Sequence, residues 1–534
     1  SLLQSNNIGE ERRIMVCAPT NKAVLAVTKR FHSIWREDPC LNCLLIGVEQ
    51  ALIVANNKDD TVGDSSFIDP SLRGFFLYTW LDCFIEKAQN IYRDLVANGV
   101  HSFHRVLNQL DSLLQILRNR IPAQAKSSKS LNAGESLLKI LKSSSIDQDT
   151  PDCRTAILHE FNCAFLSFLS RLGEIKSQPA MVELVSTADV IFCTLATSGI
   201  SLLKHSRKGI DDLVIDEAAA ATEVECCIPF FLHPKRLLVV GDPLQLPATI
   251  FSQQAKLWGL EKSMHHRLMY ECNHPHTMLD LQYRMRPEIC LFPSQRFYGG
   301  MIANGENVAS PSYKGHASIL GDRHYSFIHV ADGIEQVNHH GSYGNLCEAN
   351  VVVQLVKEFR ENFLKKHNGD NHNASLSWHS PERVRVITFY SGQVSLIERL
   401  LVEANISGVT VATVDSSQGS ESDIVIVSFV RSKGIGQRYS VGFLTDNRRL
   451  NVALTRARFQ LVCVGNIYGS LRFELNGAIK DLVENSVERG HIVELENRGK
   501  DAQLEVTSQD MEDQNDFFDG SDVRKRRRIL PGDN

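Results

Sequence analysis

The strongest constraint on the fold is a succession of short apolar runs, four to six residues each, separated by stretches with helical spacing. Ile14–Ala18, Leu44–Val48, Val190–Thr194, Leu213–Asp216, Leu237–Gly241, Arg385–Thr388, Val409–Val414, Ile424–Phe429 and Leu461–Val464 are such runs. Strands apolar on both faces must be covered on both faces, and parallel sheets flanked by helices do this. The chain is therefore expected to be α/β. Its 534 residues suffice for two to four domains.

Between about Asp59 and Gln178 the pattern changes. Val106, Leu110, Leu113, Leu114 and Leu117 recur at three- and four-residue intervals, so this stretch reads as a mostly helical insertion whose apolar stripe is helix packing. Lys126–Ser145 is rich in Ser and Lys and reads as a partly mobile connection. The expected organisation is 1–40 as the start of a first α/β domain, 41–185 as the insertion and 186–272 as the rest of that domain. A second α/β domain spans 273–470, and a helix and tail span 471–534. Asp501–Val523 holds eight acidic and no basic residues and is expected to be disordered. The cluster Arg524–Arg528 that follows fits a nuclear localisation signal, a weak nucleic-acid contact or a solvated charge run. Without such a signal the expected location is the cytoplasm.

Net charge is −5, which decides nothing, since a nucleic-acid binder needs only a local basic groove. No apolar run reaches the roughly 18–20 residues that cross a bilayer, and Ser1–Arg13 is too polar for a signal peptide, so no membrane partner is expected. Thirteen cysteines show no disulfide framework; Cys17, Cys193 and Cys463 lie in strand-like runs and read as reduced core thiols. Cys40 and Cys43 form a lone C-x-x-C without the second pair that a structural zinc site needs. Cys272, His274 and His276 read as a polar surface loop.

Chemistry concentrates at strand ends. Leu213-Val-Ile ends in Asp216-Glu217, and ligands of doubly wound sheets bind at the carboxyl ends of strands. There an Asp can hold Mg²⁺, and the next carboxylate can deprotonate an attacking water; a helix N-cap explains the pair equally well. Leu237–Gly241 leads into Asp242-Pro243-Leu244-Gln245, where Gln245 offers an amide to a phosphate or a water. Arg284 and Arg286, then Arg448, Arg449, Arg456 and Arg458, provide guanidinium forks suited to charge building on a transferring phosphoryl group, although each segment alone also reads as a solvated helix face. Gly419 permits a tight turn, and Glu421 can accept from ribose hydroxyls.

In order, these segments resemble motifs Ia, II, III, IV, V and VI of superfamily 1 helicases, in the branch of the nonsense-mediated-decay helicase and senataxin. The pieces are Ala18–Val24, Val214–Ala219, Val239–Ile250, Leu279–Gly300, Thr413–Asp423 and Arg448–Arg458. The resemblance implies two RecA-like P-loop NTPase domains with ATP bound between them and a mostly helical insertion in the first. It implies Asp216 as the Mg²⁺ carboxylate and Glu217 as the catalytic base. Gln245, Arg284 and Arg456 would act on the γ-phosphate, Glu421 would hold the ribose, and Gly419 would also lie against the nucleotide. Thr20, Asn21, Thr194, Ser391 and Thr413 would lie along a nucleic-acid backbone. The implied activity is an ATP-dependent helicase or translocase moving 5′ to 3′ on single-stranded RNA or DNA, as a monomeric motor.

Three positions depart from the family pattern: Phe389 where Pro is usual, Ser420 where Arg is frequent, and Arg286 where His is usual. No G-x-x-x-x-G-K-[ST] loop occurs in the chain. Such a loop cradles phosphates with backbone N–H groups, so tight MgATP binding by these residues alone is not expected. Two explanations stay open: the sequence starts just downstream of the loop, or the chain is a non-hydrolysing, nucleic-acid-binding scaffold derived from a helicase. The full set of Asp216, Glu217, Gln245, Arg284 and Arg456 argues for the first. A metal-dependent nuclease on Asp216-Glu217 lacks the further carboxylates of a two-metal site.

Overall fold

The computed structural model describes residues 12–34, 43–47, 77–98, 103–120, 129–143, 151–174, 178–206, 208–321, 323–367, 378–432, 442–469, 471 and 477–494. The tail 501–523, the basic cluster Arg524–Arg528, Cys40 and the polar start of the chain lie outside the described residues. The chain divides into two compact units. The first comprises residues 1–243 and 247–274, and the second comprises 244–246 and 275–534.

The first unit carries one parallel sheet of β1 (Ile14–Ala18), β2 (Cys43–Ile46), β3 (Val190–Thr194), β4 (Asp212–Ile215) and β5 (Arg236–Val239), in the order β2-β3-β1-β4-β5. Ala18 pairs with Thr194 and Cys17 with Ile215, so the carboxyl ends of β3, β1 and β4 lie level. β1 to β4 are almost wholly buried, which is why their runs are apolar on both faces. Cys17 and Cys193 are buried, reduced and 3.7 Å apart, as core thiols. β5 departs from the expectation of a buried strand: it is an edge strand, with Leu237 41% and Leu238 49% exposed. A bidentate fork from Arg236 to Asp212, at 2.5 and 2.6 Å, ties its start to β4.

Helices Leu77–Asn98, Phe103–Arg120, Lys129–Ser143, Pro151–Glu174 and Gln178–Ser186 fall between β2 and β3. Val106, Leu110, Leu113 and Leu114 are buried against Phe165, Phe168 and Leu172, which is the helix packing that their spacing predicts. The Ser/Lys-rich stretch departs from the expected loose connection. Residues 129–143 form a helix because Leu137 and Leu138 give it an apolar stripe that the composition hides. β2 pairs with β3 in the sheet although it falls inside the range expected to be insertion.

In the second unit, β6 (Leu281–Gln282) pairs with β7 (Ala303–Asn304), and β9 (Glu335–Val337) with β10 (Tyr343–Asn345) as a hairpin. The main sheet is parallel. It holds β8 (Tyr325–His329), β11 (Val384–Thr388), β12 (Thr410–Thr413), β13 (Ser422–Ser428), β14 (Ala457–Gly465) and β15 (Ile492–Glu494), in the order β12-β11-β13-β14-β8-β15. β8 and β15 were not expected. β8 carries Tyr, Ser and His and lacks a purely aliphatic run, and β15 is only three residues long. Phe389, at the departure from the family pattern, is buried and stacks on Phe429 at 5.6 Å, which stacks on Phe327 at 5.3 Å. Its ring thus fills core volume that a proline would leave unfilled. Among the described residues no helix is long and apolar enough to cross a membrane.

Candidate functional site

In the first unit the expected residues gather on one edge of the sheet. Thr20 and Asn21 follow β1, Thr194 ends β3, and Asp216-Glu217 follow β4. Thr20 Oγ1 accepts from the Ala23 N–H at 3.2 Å, and Thr194 Oγ1 from the Thr197 N–H at 3.1 Å. Both hydroxyls therefore cap turns, the ordinary task of Thr before a helix.

The turn after β4 is tightly built. The Asp216 N–H donates to the Cys17 carbonyl at 2.8 Å, and the Ala218 N–H to the Val240 carbonyl at 2.9 Å. Glu217 sits in the left-handed region, with φ 52°, a conformation uncommon for a residue with a Cβ. Glu217 stands at the N-cap position of the short turn Ala218–Ala220 but makes no side-chain capping bond there. Gly241 lies against this turn. A Cβ there would stand 2.9 Å from the Ala219 nitrogen and 3.1 Å from that of Ala218, so only glycine allows the two loops to lie side by side. Burial raises the Asp216 carboxyl above its ordinary value, partly offset by the Glu217 N–H. A half-buried carboxylate with one backbone donor suits Mg²⁺, which takes one or two carboxylates and keeps the rest of its shell as water and phosphate oxygens.

In the second unit the guanidiniums and Glu421 occupy the amino ends of the strands. Glu421 precedes β13 and Arg456 precedes β14. Arg284 Nε donates to Glu421 Oε2 at 2.6 Å, and its Nη1 to the Thr455 carbonyl at 3.3 Å. Arg458 stands 3.7 Å from Glu421 and 2.9 Å from Asp423. Burial alone would raise the Glu421 carboxyl, but Arg284, Arg458 and Arg456 outweigh it and hold it below its ordinary value. Glu421 is thus an ionised acceptor. Pairs this exposed add at most about 1 kcal/mol each, so the network positions groups more than it stabilises the unit.

Arg456 is 2% exposed. Its Nε donates to the Val452 carbonyl at 3.0 Å, its Nη2 to Thr455 Oγ1 at 2.9 Å and, at 3.4 Å, to Gln245 Oε1. The segment 244–246 belongs to this unit: Leu246 is in its core, and the Leu244 carbonyl accepts from Asn451 Nδ2 at 3.0 Å. Gly419 has φ 71° with open space around it, so backbone conformation and not packing calls for glycine. Ser420, the second departure, gives its carbonyl to Arg456 Nη1 at 3.5 Å.

Ser391 and Thr413 lie at the opposite, carboxyl edge of this sheet, after β11 and at the end of β12. Ser391 Oγ donates to Ser342 Oγ at 3.1 Å, and Thr413 Oγ1 lies 3.1 Å from Ser416 Oγ. Val430, a β-branched residue at φ 72°, follows β13 on the same edge. Buried Glu348 holds it through the Val430 N–H at 2.8 Å and Ser428 Oγ at 2.8 Å.

Sequence reasoning missed Ser342, Tyr313, Glu348 and the task of Arg286. Tyr313 OH donates to the Arg284 carbonyl at 2.6 Å, and Arg286 Nη1 to the Ser310 carbonyl at 3.0 Å. The third departure therefore braces the loop that carries Tyr313. These are single polar residues whose partners lie far away in sequence, so no local signal marks their tasks.

Two family models, each described as an AAA domain, match residues 2–253 and 260–468. Helicase sen1 of Schizosaccharomyces pombe is 33% identical over 325 residues, 60% of this chain and 18% of the relative. The regulator of nonsense transcripts 1 homolog of Drosophila melanogaster is 35% identical over 291 residues, 53% of this chain and 23% of the relative. The human probable helicase senataxin is 27% identical over 514 residues, 92% of this chain and 17% of the relative. The chain thus spans less than a quarter of the length of these relatives. With its two parallel sheets, the chain is a tandem of AAA-type, RecA-like domains homologous to the superfamily 1 helicases that include these relatives.

Proposed function

We propose that these residues form the motor core of an ATP-dependent helicase or translocase acting 5′ to 3′ on single-stranded RNA or DNA. The observation that carries this reading is the first unit's sheet edge. A buried strand delivers Asp216 and Glu217 there, and Gly241 lets the next loop lie against them. Asp216 would hold Mg²⁺ through its water shell, where the ion screens phosphate charge. Glu217 would take the proton of the attacking water. From the second unit, Arg284 and Arg456 would neutralise charge developing on the transferred phosphoryl group, and Glu421 would accept from the ribose. Arg456 must exchange its contacts with the Val452 carbonyl and Thr455 for the phosphoryl oxygens, which makes it a candidate for a step coupled to nucleotide binding. Small hydroxyls and amides at Thr20, Asn21, Thr194, Ser391 and Thr413 suit phosphate contacts that position a strand without reading its sequence. A lone working molecule is sufficient for this chemistry, and the basic cluster Arg524–Arg528 fits nuclear delivery.

The sequence supplies no phosphate-cradling G-x-x-x-x-G-K-[ST], and this favours one rival, a strand-binding scaffold without turnover. ATP turnover by the full-length protein, measured with single-stranded RNA and then single-stranded DNA, separates the two. The motor reading expects turnover stimulated by at least one of them. Strand binding with no turnover in either case establishes the scaffold.

A further inference from the structure

The second unit holds a cavity of about 370 Å³ at the amino ends of β11, β13 and β14, lined by Lys314, His316, Ser380, Arg383, Asp423 and Arg458, with Glu382 and Phe459 completing it. Apart from Arg458 and its partner Asp423, none of its lining residues belongs to the network around Glu421, and nothing in the proposed motor chemistry uses the others. The volume falls within the range of small-molecule pockets, roughly 300–1,000 Å³.

The charges in this cavity do not cancel. Asp423 is matched by Arg458 at 2.9 Å, and Arg458 Nη2 also donates to the Glu382 carbonyl at 3.0 Å. Lys314 and Arg383 are different. Among the described residues neither side chain makes a hydrogen bond or an ion pair; Arg383 lies 5.3 Å above the Phe363 ring and within electrostatic reach of Asp423. The Nη1 of Arg383 and the Nε of Arg458 are both buried and without a hydrogen-bond partner. Buried guanidinium N–H groups without an acceptor are costly and rare. The imidazole of His316 faces the same cations: burial first, then Arg383, His367, Lys366 and Arg458, depress its protonation. Against Lys314 and Arg383 stand Glu382, which is exposed, and Asp423, which feels Arg383 as well as its closer partner Arg458.

We propose that this pocket is a binding site for a phosphate-class dianion, held by Lys314 and Arg383, with Ser380 and His316 as further donors and Arg458 shared with Asp423. A dianion with several acceptor oxygens satisfies at once two cations that lack hydrogen-bond acceptors, which a monocarboxylate does not. Free inorganic phosphate and the phosphate of a nucleotide share this chemistry. The pocket adjoins the guanidinium network, since Arg458 reaches Glu421 at 3.7 Å and Phe459 packs its ring 4.5 Å from that of Tyr313.

The test uses the 534-residue chain and no ATP. Inorganic phosphate and AMP are titrated separately by calorimetry at low ionic strength, and the His316 imidazole is followed by NMR. Saturable binding of phosphate, AMP or both is expected, with the midpoint of His316 titration moving upward, because a bound dianion favours the imidazolium. Binding of only one names the source. The double variant Lys314→Met/Arg383→Met should lose about tenfold or more in affinity. Should that variant fail to fold, Lys314→Arg should keep the affinity and Lys314→Gln lose it. Arg456→Ala, which touches the proposed nucleotide chemistry and not this pocket, should bind phosphate as wild type does. No saturable binding of either probe overturns the site, as does equal affinity in the wild type and the folded double variant. Loss in Arg456→Ala with retention in the double variant places the anion elsewhere and also overturns it.

Discussion

Glu348 sits wholly inside the second unit, where its carboxyl accepts from the Val430 N–H, Ser428 Oγ and, at 3.3 Å, Asn345 Nδ2. Burial pushes it from the ordinary 4.5 up to about 8; the Val430 and Ser428 donors oppose this, and the charge of Glu335 adds to it. The folded state therefore binds this proton more tightly than the unfolded state does. The associated stability is complete below the unfolded value and is lost as pH rises toward the folded value. Across the whole interval the loss is on the order of 5 kcal/mol, of which about 3 kcal/mol falls between pH 6 and pH 9. Glu348→Gln removes that slope. Its amide oxygen keeps the Val430 and Ser428 donors, while its NH₂ meets Asn345 Nδ2, a mismatch that costs about 1–3 kcal/mol at every pH. The variant should thus be less stable than wild type at pH 6 and equal or more stable at pH 9. Hydrogen-exchange mass spectrometry on peptides of β11 and β13, in increasing urea, reads this unit alone. The comparison at matched pH isolates Glu348 from other titrating groups. A wild-type stability that is flat from pH 6 to pH 9, or that falls equally in the variant, refutes the reasoning. The network matters for function because Gln393, in the helix that begins at Ser391, donates to Ser428 Oγ at 3.0 Å and to the Asn345 carbonyl at 3.2 Å.

Gly241→Ala should cost about 1–3 kcal/mol, because the new methyl meets backbone nitrogens that cannot swing aside; a melting temperature within a degree of wild type would show that the two loops separate freely. Arg456→Ala should lower turnover of the full-length protein by roughly 10³-fold if its guanidinium reaches the phosphoryl group. A change of only a few-fold, measured at saturating ATP, leaves it the structural task that its present contacts describe.

The alternating pattern of strand and helix made the α/β class legible, because parallel strands buried on both faces can only be apolar runs. Ile14–Ala18 and Val190–Thr194 occur as strands with the bounds their sequences suggest. β8 escaped detection because burial, and not residue type, makes a strand of Tyr-Ser-Phe-Ile-His: its Tyr325 hydroxyl lies 2.7 Å from Ser486 Oγ across the core. β5 escaped in the other sense, since an edge position is a property of the sheet and not of the run. Of the candidate site, the strand-end carboxylates Asp216 and Glu217 were legible from the rule that ligands gather at carboxyl ends, while Thr194 was legible only through resemblance. Glu421 and Arg456 were legible as a ribose acceptor and a guanidinium fork from their chemistry, while their specific roles came through resemblance, because they lie at amino ends, where the strand-end rule gives no guidance. Supporting residues such as Tyr313 and Glu348 reach their partners across 29 and 82 residues of chain, and no local pattern encodes such pairings.

Glu217 offers the most direct test of hydrolysis at this sheet edge. The measurement is ATP turnover and single-strand affinity of the full-length protein, compared with its Glu217→Gln variant. Removal of the proton acceptor, with the turn at φ 52° and the neighbouring Asp216 left in place, should abolish turnover and leave strand affinity unchanged. Turnover equal to wild type in that variant would contradict the assignment of this sheet edge as the place where ATP is hydrolysed.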